Sequence, residues 1–150
     1  MSKADGSDHP GQLVPSFFVD SVEKERSFYI DKLGFAHRMG MVGRDGNLDF
    51  CIVTRGASMI MFARPQERRE GTAEAYPTPR PLELYIRMDD VDAYHADVTS
   101  RGVAVAKPLT DQWWGDRNFA VRDPYGYLLW FNQTVHPFAD VQPPAGVTIV

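Results

Sequence analysis

The chain has 150 residues, enough for one domain or for two tightly fused halves, and a folded chain of this length buries roughly two-thirds of its surface. Its composition is globular, with 43% hydrophobic and 24% charged residues, and its net charge of −4 argues against nucleic acid as a partner. The polar N-terminus and the absence of an apolar run of roughly 20 residues argue against a signal peptide and a membrane span, so we expect a cytoplasmic protein.

The first half of the chain predicts one helix and four strands. Residues 1–12 are typical of a disordered tail, and the apolar run 13–19 predicts a strand. Asp20 or Ser21 is expected to cap a helix that ends at Gly34. Three strands follow, separated by glycine-containing turns, at about 35–42, 48–54 and 57–63. The single cysteine falls in the second of these, where a buried reduced thiol is expected.

The second half repeats this order after a charged, proline-rich linker over residues 64–81. The run 82–88 predicts a strand, and Asp89 or Asp90 is expected to cap a helix that ends at Gly102. Three more strands are predicted at about 103–109, 117–122 and 127–133.

The order strand, helix and three strands therefore occurs twice, with nearly equal spacing between its landmarks. The matching intervals are Val22–Gly34 with Val91–Gly102, and Gly34–Gly56 with Gly102–Gly126. We predict an α+β fold of two tandem βαβββ modules that form a curved mixed sheet around a cleft. The modules span 13–63 and 82–133, and residues 134–150 form a C-terminal tail. A generic α+β sandwich with accidental spacing is the alternative.

Each predicted module leaves one face of its sheet without a helix. A cleft between two such faces is the natural place for a small-molecule ligand. The edge strands would also stay exposed, which favours a homodimer made by pairing or by exchanging modules.

Several short motifs resemble the vicinal oxygen chelate superfamily, which comprises glyoxalases, bleomycin-resistance proteins and extradiol dioxygenases. The first module carries VDSVE at 19–23 and SFYIDKLGF at 27–35, and the second carries DDVDA at 89–93 and DPYG at 123–126. The run WGDRNFAVRDP at 114–124 is most similar to the bleomycin-resistance branch. The resemblance covers about residues 13–133 and is not specific for one activity.

Metal-using members of this superfamily hold a divalent ion with His, Gln or Glu side chains on four strands. By the resemblance, these positions fall at Val14, within 59–62, at Glu83 and at Trp130. Glu83 is the only possible ligand among them, and one carboxylate does not make a site. We therefore expect no metal and no other cofactor.

Aromatic side chains are the expected lining of the cleft instead. Tyr85 lies two residues from Glu83 and shares its face of a strand, and Gly115 lets the backbone approach closely after Trp113 and Trp114. The predicted ligand-binding residues are Met61, Glu83, Tyr85, Trp113, Trp114, Arg117, Phe119 and Trp130. A tryptophan packed in the core or in an interface, and a Glu83 paired with an arginine, are equally compatible with the pattern.

Three functions follow from these features. The first is a metal-free binding protein that sequesters an aromatic or cationic antibiotic-like compound, as the resemblance to the bleomycin-resistance branch implies. The second is a metal-dependent lyase, isomerase or dioxygenase of the same superfamily, or a metal-free enzyme with Glu83 as its general base. The third is an interaction module whose cleft is filled by its own tryptophans.

Overall fold

The protein is organised as two compact units, Met1–Pro77 and Thr78–Val150. The computed structural model describes residues 10–64 and 82–150. The predicted tail at 1–12 and the predicted linker at 64–81 therefore lie largely outside the described residues. Among residues 10–64 and 82–150, none of the helices qualifies as a membrane-spanning segment.

The first unit is a mixed four-stranded sheet with one short helix. Its elements are β1 (Ser16–Phe18), α1 (Val22–Ser27), β2 (Ala36–Val42), β3 (Leu48–Arg55) and β4 (Ser58–Ala63). The strand order is β1-β4-β3-β2, in which β1 and β4 are parallel and the other pairs are antiparallel.

The second unit repeats this topology. Its elements are β5 (Glu83–Arg87), α2 (Val91–Ser100), β6 (Val105–Asp111), β7 (Asp116–Arg122) and β8 (Leu128–Thr134). The strand order is β5-β8-β7-β6, with β5 and β8 parallel. The two units thus have the predicted α+β arrangement of two βαβββ repeats.

The α1 helix is shorter than the sequence predicts. The Ser21 hydroxyl oxygen accepts a hydrogen bond from the Lys24 backbone N–H at 3.2 Å, as expected of an N-cap. The helix then widens into a π-helical turn over Phe28–Lys32, where Leu33 N–H donates to the Phe28 carbonyl. Tyr29 is fully buried within this turn, so the widened segment belongs to the core of the first unit.

The α2 helix covers one face of the second sheet. Asp90 is its N-cap, with a carboxylate oxygen that accepts from Ala93 N–H at 3.0 Å. Val91, Tyr94 and Val98 are buried on its inner side, and the Tyr94 ring lies 4.8 Å from that of Phe131. Burial of an apolar side chain of this kind stabilises a fold by about 1.5–3 kcal/mol, so this packing fixes which face of the sheet is inside.

The face of each sheet opposite its helix is here called its open face. In the first unit, Cys51, Val53 and Phe62 point towards the helix and are fully buried. Strand alternation then leaves a mostly apolar open face rich in methionine. Its members include Phe18, Met39, Met41, Phe50, Ile52, Met59 and Met61.

The predicted C-terminal tail at 134–150 contains some ordered structure. Strand β8 extends to Thr134, and a 3-10 turn spans Phe138–Asp140. Val135 and His136 N–H both donate to the Gly115 carbonyl oxygen, at 2.9 Å and 3.0 Å. The beginning of this segment is thus attached to the turn between β6 and β7.

Candidate functional site

The open face of the second sheet carries a stacked pair of aromatic rings. Tyr85 in β5 lies opposite Trp130 in the parallel strand β8, and both point away from α2. Their ring centroids are 5.7 Å apart and their planes are inclined by only 28°. Tyr85 is 51% exposed and Trp130 is half-buried, so the pair forms a platform with one accessible aromatic surface.

Buried amides lie on the same face beside this platform. Gln112 Nε2 donates to Asn118 Oδ1 at 3.0 Å, and Asn118 Nδ2 donates to Asn132 Oδ1 at 2.9 Å. The Asn132 amide nitrogen in turn donates to the backbone carbonyl of Trp130 at 3.1 Å. Asn118 and Asn132 are almost completely buried, so this network holds the neighbouring strands and the indole in one arrangement.

The Tyr85 hydroxyl remains protonated at neutral pH. Partial burial raises the pKa of Tyr85, and the Asp116 and Glu83 carboxylates raise it further, whereas a hydrogen bond with Asn118 acts in the opposite direction. The accessible ring is therefore a neutral phenol, which can donate a hydrogen bond to a ligand.

The indole nitrogen of Trp130 is a buried donor without a partner. No acceptor among residues 10–64 and 82–150 bonds to its Nε1, although this atom is shielded from solvent. A buried polar group left in this state costs about 1–3 kcal/mol. An acceptor atom supplied by a ligand or by water would recover part of that free energy.

Glu83 lies on the open face two residues before Tyr85. It is exposed, and none of the salt bridges between described residues includes it. Arg117 is not its partner, because the Arg117 guanidinium bonds to Asp92 and Asp111, each at 3.0 Å. The contact with Asp92 in α2 places Arg117 on the helix side of the sheet, so it does not join the aromatic platform.

Phe119 is also on the helix side and corrects the predicted set of ligand-binding residues. It has no exposed surface, and its ring lies 4.9 Å from the imidazole of His95 and 5.4 Å from the ring of Phe131. Strand alternation is the reason, because Phe119 adjoins Asn118 in β7 and must point to the opposite face. Phe119 is a core residue of the second unit.

Trp113 and Trp114 lie in the tight turn between β6 and β7. Gly115 N–H donates to the Gln112 carbonyl at 3.1 Å, and Gly115 has a φ of +98°. A Cβ atom at Gly115 would lie 2.3 Å from the His136 carbonyl oxygen, so only glycine fits this close approach. The two indoles meet edge to face at 5.8 Å, and Trp113 is 39% exposed.

Met61 belongs to the open face of the first unit. It lies in β4 between Ile52 of β3 and Ser16 of β1, and it is half-buried. Its neighbours make this face apolar and deformable, because methionine side chains adapt readily to the shape of a ligand.

The positions at which a metal would be held do not provide a suitable donor set. Val14 precedes β1, residues 59–62 of β4 carry only apolar side chains, and Trp130 contributes to the aromatic platform. Within the described ranges, no group of three or more His, Cys, Asp or Glu side chains is arranged to hold a metal ion. Glu83 alone does not fit the coordination that a divalent ion requires.

Asn118, Asn132 and Arg87 were not among the predicted site residues. The sequence contains one signal for the asparagines. Each adjoins a phenylalanine in its strand, so alternation turns the asparagine to the face opposite that phenylalanine. Buried amides at such positions must bond to something, and here they bond to each other.

Two βαβββ units, each with one helix on one side of its sheet, define a protein of the vicinal-oxygen-chelate fold. The chain belongs to the Glyoxalase/Bleomycin resistance protein/Dioxygenase superfamily, whose model it matches over residues 8–131. It is 24% identical over 136 residues to the bleomycin resistance protein of Geobacillus stearothermophilus. This alignment covers 83% of this chain and 97% of that protein.

Several solved structures are similar to the chain, among them TioX and TnmS3. TioX from Micromonospora sp. ML1 matches with a TM-score of 0.68 and 21% identity, over 83% of this chain and 98% of TioX. TnmS3, an antibiotic binding protein from Streptomyces sp. CB03234, matches with a TM-score of 0.57 and 28% identity, over 85% of this chain and 99% of TnmS3.

Proposed function

We propose that the protein binds a flat aromatic or cationic antibiotic-like compound without a metal and sequesters it rather than transforming it. The observation that carries this proposal is the accessible Tyr85–Trp130 stack on the open face of the second sheet. Stacking of one further ring contributes about 0.5–1.5 kcal/mol beyond the area that it buries.

The carboxylates next to Tyr85 favour a neutral or cationic group stacked directly on its ring, whereas Arg87 lies two residues further along the same strand. The Glu83 and Asp116 carboxylates both act on the Tyr85 hydroxyl, and Arg117 is engaged by two aspartates on the other side of the sheet. A cation over an aromatic face gains about 0.5–2 kcal/mol, with the larger values for desolvated sites.

The relatives support an antibiotic-like ligand. One is a bleomycin resistance protein and another is an antibiotic binding protein, and the chain aligns with nearly the whole of each. These names describe those proteins, and the platform gives this chain a means of binding a ligand of the same general kind.

Isothermal titration against bleomycin and a panel of planar aromatic antibiotics tests the proposal. We expect at least one compound to bind with a dissociation constant below the millimolar range, and Tyr85→Leu to weaken it about tenfold. Phe138→Leu, which changes another exposed aromatic residue, is the matched control. The absence of any binding below millimolar, or full affinity in Tyr85→Leu, would contradict the proposal.

Metal analysis tests the alternative hypothesis that the protein is a metal-dependent enzyme. Protein purified without chelator should carry no stoichiometric Zn, Ni, Mn or Fe, and Glu83→Gln should not change its metal content. Stoichiometric metal that is lost in Glu83→Gln would favour a metal-dependent lyase, isomerase or dioxygenase instead.

We also propose that the protein is a cytoplasmic homodimer. Strands β2 and β6 each form the edge of a sheet within their own unit, and an exposed edge strand is available for pairing with a second copy. Light scattering coupled to size-exclusion chromatography tests the dimer, and a mass of 16.9 kDa at micromolar concentration would refute it.

A further inference from the structure

A polar depression of about 350 Å³ lies on the second unit, where β5 and β8 end. Six residues line it: Arg87, Met88, Asp89, Asn132, Gln133 and Thr134. Arg87 follows Tyr85 by two residues on the same face of β5, and Asn132 follows Trp130 in the same way on β8. A rise of about 3.3 Å per residue puts the depression roughly 7 Å from the aromatic platform, which is within the length of one small ligand.

Arg87 is held in position by a chain of hydrogen bonds across three strands. Its Nη1 donates to Thr134 Oγ1 at 3.1 Å, and the Thr134 hydroxyl donates to Asp116 Oδ1 at 3.0 Å. Asp116, the last acceptor in this series of hydrogen bonds, is only 6% exposed and is therefore held rigidly. The salt bridges among the described residues use Arg64, Arg101 and Arg117, so the other Arg87 donors have no carboxylate partner there.

The charges of the depression are mixed. Arg87 supplies hydrogen-bond donors, and the exposed carboxylate of Asp89 supplies an acceptor on the same lining. A carboxylate ligand would be repelled by Asp89, whereas an ammonium ligand would be repelled by Arg87. A neutral amide satisfies both groups, because its carbonyl oxygen accepts a hydrogen bond and its N–H donates one.

We propose that this depression binds a carboxamide group attached to the aromatic part of the ligand. The amide oxygen accepts from Arg87, an amide N–H donates to Asp89, and the ring stacks on the Tyr85–Trp130 platform. Arg87 is then the residue that determines specificity, and Thr134 is a positioning residue. This inference rests on the proposed function and names the chemical class of the ligand.

Four small probes with one ring system test the inference. They are naphthalene-2-carboxamide, its N,N-dimethyl derivative, naphthalene-2-carboxylate and 2-naphthylmethylammonium, with naphthalene itself as the reference. Affinities are measured by NMR titration that follows the indole N–H of Trp130 and the Nε–H of Arg87. We expect the primary carboxamide to bind about tenfold more tightly than naphthalene and more tightly than the other three probes.

Three variants separate the amide site from the platform. Arg87→Met should remove the advantage of the carboxamide and leave the affinity for naphthalene unchanged. Thr134→Val should reduce that advantage about threefold and leave the affinity for naphthalene unchanged. A general loss of structure would instead weaken the binding of naphthalene as well. Arg101→Met, an arginine at the end of α2, is the matched control and should bind every probe as the parent does.

The outcomes distinguish the two proposals. Tighter binding of the carboxylate or the ammonium, or an unchanged preference in Arg87→Met, would overturn the amide site and leave the aromatic binding function standing. If neither naphthalene nor any derivative perturbs Trp130 below millimolar concentration, and no antibiotic of the panel binds, both proposals are refuted.

Discussion

Replacement of Asn118 by leucine tests whether the buried amide network maintains the aromatic platform. Leucine has a similar volume, but it cannot bond to Gln112 or Asn132. Loss of the two amide–amide hydrogen bonds costs about 2 kcal/mol, and leaving Asn132 Oδ1 buried without a donor adds about 1–3 kcal/mol. The apolar surface of leucine offsets about 1 kcal/mol, so we expect the second unit to lose about 2–4 kcal/mol of unfolding free energy.

Urea unfolding followed by tryptophan fluorescence measures this loss. All three tryptophans lie in the second unit, so the signal reports on that unit. The double variant Asn118→Leu with Asn132→Leu removes both partners, and we expect it to be about 1–2 kcal/mol more stable than the sum of the single changes predicts. Loss of the hydrogen bond to Asn118 should also raise the pKa of Tyr85 further, which NMR of ¹³Cζ-labelled tyrosine detects. A single variant within 0.5 kcal/mol of the parent, or strict additivity in the double variant, would refute this account of the network.

Three further predictions concern the turns, the acid stability and the thiol. Gly115→Ala should lower the free energy of unfolding by about 2–4 kcal/mol, because the added Cβ would lie 2.3 Å from a backbone carbonyl oxygen. Gly46 has a similar φ of +80° but open space around it, so Gly46→Ala should lower the free energy of unfolding by only about 1–2 kcal/mol. Urea unfolding followed by circular dichroism compares the two variants, and equal losses would contradict the steric explanation. Hydrogen bonds from Arg64 hold the pKa of Asp45 well below its usual range. Their stabilising effect is therefore complete at neutral pH and is lost as the pH falls below about 4. The urea midpoint of Asp45→Asn should fall less steeply with decreasing pH than that of the parent, and an identical acid profile would count against the ion pair. Burial raises the pKa of Cys51 to about 11. We therefore expect the thiol to react with a disulfide reagent at pH 8 only when the protein unfolds. Rapid reaction of the folded protein would show that the thiol is accessible.

The positions of the strands were predictable because their physical basis is local. Alternation of apolar and polar residues, glycine at the turns and capping residues before the helices place all eight strands within a few residues of their observed bounds. The cap at Ser21 and the cap at Asp90 were each one of two predicted candidates. The π-helical turn at Phe28–Lys32 was not predicted, because its hydrogen-bond pattern leaves no sign in the spacing of apolar residues.

The candidate site was only partly predictable. Pairing of Tyr85 with Trp130 depends on the register of two parallel strands that are far apart in the sequence, and hydrophobic pattern alone does not give that register. Arg117 and Phe119 were predicted to bind the ligand, whereas alternation along β7 turns both towards the helix. The Arg87–Thr134 hydrogen bond likewise joins residues whose proximity only the folded sheet reveals.

The two repeats differ most on their open faces, because these faces do not pack against the helix of their own unit. On the helix side, both sheets bury a phenylalanine-rich core, represented by Phe62 in the first unit and Phe131 in the second. On the open side, the first sheet carries methionines such as Met61, whereas the second carries buried amides and an aromatic stack. Directional hydrogen bonds discriminate between ligands more strongly than apolar contacts do, because an unmatched buried polar group costs more than a missing methylene. For a ligand that stacks on the second unit, we therefore expect the buried amides and the aromatic stack, rather than apolar contacts, to determine selectivity.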